Sequence, residues 1–282
     1  MITETIDLYE YFGLDKPSGA VGTLTTYIHN QSPEFCTGRK RPAMLVIPGG
    51  AYVLVSDREK EPVALKYFTE GFNSFALGYS VAPLKFPTQL VEAAMAMVYI
   101  RENAEKFYVL PDKVAAMGFS AGGHLLGTLT TMYDCKEVKA ALKNKVGLVK
   151  PDAAVFSYAV ITSGEKRHDG SIRNLCGEDK DLWARVSIEN NVNANTPPAF
   201  IWATANDNCV PSENSLMLAA AYKAAGVPFE LHVFADGVHG LSLCERETSN
   251  ATGETLLVND EVKPWLKLSV TWLAKHGFII KF

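Results

Sequence analysis

Short apolar runs recur along the chain at 43–47, 75–79, 114–117, 153–158, 199–203 and 229–234, and several are apolar at both alternating positions. A strand that offers apolar side chains to both faces must be covered on both, so these runs predict a mostly parallel sheet with helices on either side. Between them the period lengthens to that of a helix. After Thr88, placed as an N-cap, Ala93, Met97, Ile100 and Ala104 recur at helical spacing. A second helix is expected from Glu61-Pro62, because proline is tolerated in a first turn, to a stop at Gly71. A third runs from Ser212 to Gly226 and is expected to bury Leu216, Ala219 and Ala220 or their neighbours. Residues 17–32 predict an antiparallel N-terminal hairpin, and 262–276 a closing helix. Residues 161–195 are polar and carry no strong period, which predicts a small cap-like excursion from the sheet.

Composition narrows this picture without adding chemistry. At 282 residues the chain falls between one typical domain and two. No repeat or Gly/Ser/Pro-rich linker divides it, so residues 1–282 are read as one α/β domain. Hydrophobic residues at 48% and charged residues at 21% sit near the globular average and argue against disorder. The 27 basic and 31 acidic residues give a net charge of −4 and no basic run, hence no electrostatic footprint for nucleic acid or an anionic membrane. The longest apolar stretch, 93–100, falls far short of the ~20 residues that span a bilayer. The N-terminus lacks a basic region followed by an apolar one, so a cytoplasmic location is expected. Five cysteines, Cys36, Cys135, Cys176, Cys209 and Cys244, are widely spaced without a CxxC pair. They are expected to be reduced thiols, Cys209 and Cys244 packed in the interior, and neither a metal nor an organic cofactor is expected.

The chemistry is concentrated in loops that follow strands. Val114-Ala115-Ala116-Met117 runs directly into Gly118-Phe119-Ser120-Ala121-Gly122, a G-x-S-x-G motif, and 121–130 can continue as a helix. A sharp strand-to-helix turn lifts a serine oxygen out at the top of a sheet, and small flanking residues permit the strained backbone. A serine nucleophile needs a base, and the base an orienting carboxylate. Of the six histidines, His239 follows the strand 229–234 in the loop Asp236-Gly237-Val238-His239-Gly240, where an imidazole can face the serine. His124 lies four residues past Ser120 and is expected to point back into the packing, and His168 lies in the irregular excursion. Asp207, in the loop after strand 199–203, is the favoured acid, and Asp236, three residues before His239, is its rival. Backbone donors for an oxyanion are expected after strand 43–47, in Pro48-Gly49-Gly50-Ala51-Tyr52, with the Ala121 N–H as the second arm. Tyr52 and Trp183 are candidate substrate-binding aromatics, whereas Trp202 lies inside a strand and is expected in the core.

These segments resemble the bacterial α/β-hydrolase esterases of the acetyl esterase, acetylxylan esterase and carboxylesterase group. The resemblance runs from about Ala43 to Phe278 and rests on Ile47-Pro48-Gly49-Gly50-Ala51-Tyr52, Gly118-Phe119-Ser120-Ala121-Gly122-Gly123-His124, Thr196-Pro197-Pro198-Ala199-Phe200-Ile201-Trp202 leading to Asp207, and His239-Gly240. The order Ser120, Asp207, His239 is that of α/β-hydrolases. The resemblance implies an α/β-hydrolase fold, Ser120 as nucleophile, His239 as base, Asp207 as its partner, and an oxyanion site around Gly49, Gly50, Ala51 and Ala121. The family's oxyanion segment usually begins His-Gly-Gly-Gly; Pro48 and Ala51 depart from it. A Ser-Pro-Glu pattern usual in the family is Ser187-Ile188-Glu189 here.

The function expected is that of a serine carboxylesterase acting on short acyl esters, such as acetylated sugars or oligosaccharides, with no nucleic acid or membrane partner and a homo-oligomer left open. Two alternatives stand beside it. A peptidase or feruloyl-type esterase would use the same machinery in a different pocket, and a non-catalytic binding member would keep the fold alone.

Overall fold

The computed structural model describes residues 1–35, 37–249 and 257–281; Cys36 lies outside them. Eight strands form one sheet: β1 (Thr5–Asp7), β2 (Thr23–Tyr27), β3 (Arg41–Ile47), β4 (Asn73–Gly78), β5 (Val109–Phe119), β6 (Ala153–Ser157), β7 (Ala199–Thr204) and β8 (Phe229–Phe234). Their order is β1-β2-β4-β3-β5-β6-β7-β8. The run from β4 to β8 is parallel, and β2 and β1 are added antiparallel at one edge.

All six apolar runs of the sequence are strands of this parallel run. The N-terminal hairpin, in contrast, is corrected. Residues 17–32 contain only β2, which pairs with β1 on one side and with β4 on the other. Leu24 is buried on the sheet, so the two-stranded hairpin expected within 17–32 gives way to a single strand that extends the main sheet.

Alternation along the strands feeds two cores. Ala43, Leu45 and Ile47 of β3 and Val114 and Ala116 of β5 face one; Met44, Val46, Ala115, Met117 and Phe119 face the other. Nine helices among the described residues cover them: α1 (Leu8–Phe12), α2 (Glu61–Thr69), α3 (Thr88–Glu102), α4 (Ser120–Thr131), α5 (Lys136–Leu142), α6 (Asp169–Cys176), α7 (Lys180–Arg185), α8 (Glu213–Ala225) and α9 (Trp265–Lys275). Helices α2 and α9 pack on the second face through Val63, Tyr67, Trp265 and Trp272, and the others contribute to the first.

Two helix details depart from the sequence pattern. Pro87, not Thr88, is the N-cap of α3, and no side chain caps it. In α8 the buried positions are Asn214, Ser215, Leu218, Ala219 and Tyr222, while Leu216 is 48% exposed and Ala220 is exposed. The shift has a polar cause. The Asn214 carboxamide turns inward, its Oδ1 accepting from the Ile161 and Thr162 N–H groups and its Nδ2 donating to Lys166 and Pro211 carbonyls.

Residues 161–195 are less irregular than their composition suggests. They carry α6 and α7, whose Ile172, Leu175 and Trp183 enter the first core together with Ile188. Arg185 of α7 also grips α5, its Nη1 and Nη2 donating to the two Glu137 oxygens at 2.8 and 2.7 Å. That fork holds the Glu137 carboxyl down to about 2, against an unfolded value near 4.3. Because the folded value is the lower one, the pair's contribution is complete above the unfolded value and is lost as pH falls from about 4.5 towards 2. With the two side chains 17% and 35% exposed, a contribution of about 1–2 kcal/mol is expected. In urea unfolding, Glu137→Gln should lose that amount at pH 7, and its deficit against the wild type should shrink as pH approaches 2. An unchanged deficit at low pH would rule the ion pair out as its source.

Candidate active site

Three loops at the carboxyl ends of β5, β7 and β8 bring together Ser120, Asp207 and His239. Ser120 opens α4 directly after β5 with φ +50°, a left-handed conformation costly for a residue with a Cβ. The flanking glycines make the turn possible. A Cβ on Gly118 would lie 2.3 Å from the Gly122 carbonyl oxygen, and one on Gly122 would lie 2.2 Å from that of Pro48. The serine is thereby held at the mouth of a cleft, 7% exposed.

Its Oγ lies 2.9 Å from His239 Nε2, and His239 Nδ1 lies 2.8 Å from Asp207 Oδ2. Asp207 is fixed in turn, since its Oδ1 accepts the Cys209 and Val210 N–H groups at 2.9 Å each. The carboxylate can only accept, so Nδ1 carries the imidazole proton and Nε2 is free to accept from the serine hydroxyl. Such a chain can move a proton off Ser120 as the oxygen attacks an electrophile. Asp236, the rival acid, is turned elsewhere and accepts from Asn206 Nδ2 at 2.9 Å. The Tyr158 ring packs edge-on against the His239 imidazole at 5.0 Å and limits its rotation.

The carbonyls of the loop after β3 are satisfied within the protein. The Pro48 carbonyl accepts from Tyr79 Oη, that of Gly49 from the Ser56 N–H, that of Gly50 from Val53 and Leu54, and that of Ala51 from Asn174 Nδ2. The Gly49 N–H donates to Glu59 Oε2 at 2.8 Å. Gly49 is therefore corrected as an oxyanion donor, because its N–H is already committed. The Gly50 and Ala51 N–H groups have no protein acceptor among the described residues. Ala121, second residue of α4, belongs to a first turn whose N–H groups lack intrahelical acceptors. Gly50 at φ +124° is irreplaceable in this loop, since a Cβ there would lie 2.1 Å from the Leu54 carbonyl oxygen.

The cleft above these groups has a volume of about 370 Å³, lined by Gly50, Ala51, Leu54, Ser120, His168 and His239 among others. Neither proposed aromatic reaches it. Tyr52, at φ +58°, swings beneath the loop and is wholly buried, its Oη on His124 Nδ1 at 3.0 Å. Trp183 is 4% exposed, donates Nε1–H to the Gly177 carbonyl, and lies under Lys180 against a separate groove. Both are corrected from substrate-binding to packing residues. His124 donates from Nε2 to the Val186 carbonyl, and burial pushes its pKa down to about 4, so it packs as a neutral ring. Trp202 is in the core as expected.

Three contributors escaped the sequence pattern. Glu59, buried in a short turn at Asp57–Glu59, accepts from Gly49 N–H and from Tyr158 Oη at 2.6 Å. His168 of the excursion lines the cleft. Cys209, expected in the interior, is exposed at the rim. Burial and then the charge of Asp207 raise its thiol pKa, which leaves it poorly primed as a nucleophile beside Ser120. Cys244 is buried as expected. Among the described residues no three His, Cys, Asp or Glu side chains gather into a metal-binding set, and no helix is long and apolar enough to cross a membrane.

Comparison with known proteins places the chain in a family. The BD-FAE family model matches residues 31–222. Endo-1,4-beta-xylanase B of Butyrivibrio fibrisolvens is 38% identical over 84% of this chain and 37% of its own length. An acetylxylan esterase of Xylanibacter ruminicola is 28% identical over 74% of this chain and 42% of its own. The chain thus spans less than half the length of either relative. The crystal structure of an acetyl ester-xyloside bifunctional hydrolase from Caldicellulosiruptor lactoaceticus superposes with a TM-score of 0.84 at 36% identity, covering 98% of this chain and 97% of that one. With the matched region, the sheet order and the near full-length superposition in agreement, the chain belongs to the BD-FAE family and has the α/β-hydrolase fold.

Proposed function

We propose that the protein is a serine carboxylesterase that removes short acyl groups, acetyl above all, from sugar hydroxyls. The observation that carries this reading is the hydrogen-bonded chain Ser120–His239–Asp207, opening on a cleft beside the N–H groups of Gly50, Ala51 and Ala121. Ser120 Oγ attacks the ester carbonyl carbon while His239 Nε2 takes its proton. The oxygen of the tetrahedral intermediate is held by the three N–H groups, each such donor worth about 3 kcal/mol in the transition state. His239 then gives the proton to the departing alcohol oxygen, leaving an acyl-Ser120. Water, deprotonated by the same imidazole, releases the acid and restores the serine. Asp207 keeps the imidazole in the productive tautomer and steadies its charged form.

The substrate class draws support from the related proteins named above, a xylanase, an acetylxylan esterase and an acetyl ester-xyloside hydrolase. The apolar rim of Val53 and Leu54, 57% and 56% exposed, offers a surface for the face of a sugar ring. An acyl-length series of aryl esters, run beside acetylated xylo-oligosaccharides, tests the reading. Acetate is expected to give the highest kcat/KM, with acetate released from the oligosaccharides. A preference for hexanoate or longer would sink the acetyl assignment, and no release from the oligosaccharides would sink the sugar.

A further inference from the structure

His168 is a second imidazole in the cleft, and its surroundings fix what it can do. It precedes α6 as N-cap, its Nδ1 accepting the Ser171 N–H at 3.2 Å with Ser171 Oγ at 2.8 Å. A ring nitrogen that accepts a backbone N–H carries no proton of its own, so the neutral ring is protonated on Nε2. That N–H has no protein acceptor among the described residues, and the ring is only half-buried. Burial first, and then the neighbouring His239, lower the His168 pKa, which favours the neutral ring. The cleft therefore holds a fixed, neutral hydrogen-bond donor beside His239. His239 is also where the alcohol leaves, since its Nε2 protonates the departing oxygen.

We propose that His168 determines specificity for the alcohol, its Nε2–H donating to a hydroxyl on the carbon next to the acylated one. A sugar ring supplies such a vicinal oxygen, whereas a simple alkyl or aryl ester does not. This inference rests on the esterase reading of Ser120 and deepens it. A neutral donor held against a substrate hydroxyl discriminates against the analogue that lacks it, because the bound analogue leaves the donor unpaired.

The test compares a methyl xyloside monoacetate bearing a free vicinal hydroxyl with its deoxy analogue at that position. The wild type is expected to favour the hydroxylated ester by about tenfold in kcat/KM. In His168→Asn, whose side-chain oxygen still caps α6 but whose amide falls short of the cleft, the preference should drop to within about twofold of unity. In His168→Gln, whose amide nitrogen reaches near the position of Nε2, part of the preference should return. A general disturbance of α6 would slow both esters alike and leave the ratio intact. A ratio unchanged in His168→Asn overturns the proposal, as does a wild type that turns over both esters without preference. Turnover of neither ester by the wild type, or full activity in Ser120→Ala, overturns the reading of Ser120 together with it.

Discussion

Ser120→Ala is expected to lower kcat for a short-chain acetate ester by about 10⁴- to 10⁶-fold while leaving thermal stability close to that of the wild type. The residual rate would come from the N–H groups of Gly50, Ala51 and Ala121, which the substitution leaves in place. Stability is spared because, among the described residues, the Ser120 hydroxyl bonds only to His239 at the edge of the cleft, and alanine has the same Cβ in the same strained turn. Asp207→Asn sharpens the assignment. Asp207 Oδ1 is bound by the Cys209 and Val210 N–H groups, so the asparagine oxygen takes that place and its NH₂ is forced towards His239 Nδ1. The imidazole must then accept at Nδ1 and carry its proton on Nε2, where it donates to Ser120 instead of accepting. A loss of about 10⁴-fold in kcat is expected from the wrong tautomer alone. Stopped assays on an aryl acetate, beside a thermal melt of each variant, would decide the matter. Retention of more than about a hundredth of wild-type kcat in Ser120→Ala would remove Ser120 from the mechanism.

Much of this arrangement was legible before the fold, for reasons that differ between residues. Strands buried on both faces write both faces into the sequence, so β3 to β7 stood out as apolar runs, whereas β8, at the sheet edge, has no fully buried residue. Ser120 was legible because its turn tolerates nothing larger than glycine at 118 and 122, which leaves a motif. His239 and Asp207 were legible through their place just past strands, which already favoured Asp207 over Asp236. What failed to show is direction. Tyr52 sits in the loop beside the serine, yet its positive φ turns the ring under that loop. Leu216 has the spacing of a buried residue, yet the carboxamide of Asn214, bonded to two N–H groups of the excursion, rotates α8 away from it. His168 lies 71 residues before His239 in a segment with no period, and only the packing of α6 on the core carries it to the cleft.

Glu59 is the residue whose absence from the sequence pattern matters most, and its removal is expected to damage stability and rate together. It lies ten residues after Gly49 and joins the two loops that flank the serine. One oxygen takes the Gly49 N–H of the β3 loop, the other takes Tyr158 Oη, and Tyr158 Oη accepts the Ser242 N–H of the segment after His239. Its neighbour Arg58 adds to this clamp, donating to the Gly240 and Thr248 carbonyls at 3.0 Å each. Glu59→Ala leaves a buried N–H and a buried O–H without acceptors and opens a small void, a loss of about 3–5 kcal/mol. For a chain of this size that corresponds to a fall of roughly 5–8 °C in Tm. Once its N–H is released, Gly49 no longer holds Gly50 and Ala51 in register with Ser120. A displacement of 1 Å at the oxyanion donors is expected to cost about 10²-fold in kcat, with a smaller change in KM. Glu59→Gln keeps one acceptor oxygen and should recover part of both losses. Because Glu59 acts through the loop and not on the ester, kcat should follow the loop's order. If Glu59→Ala melts early yet keeps wild-type kcat below its transition, the two loops are held by other contacts and Glu59 serves the fold alone.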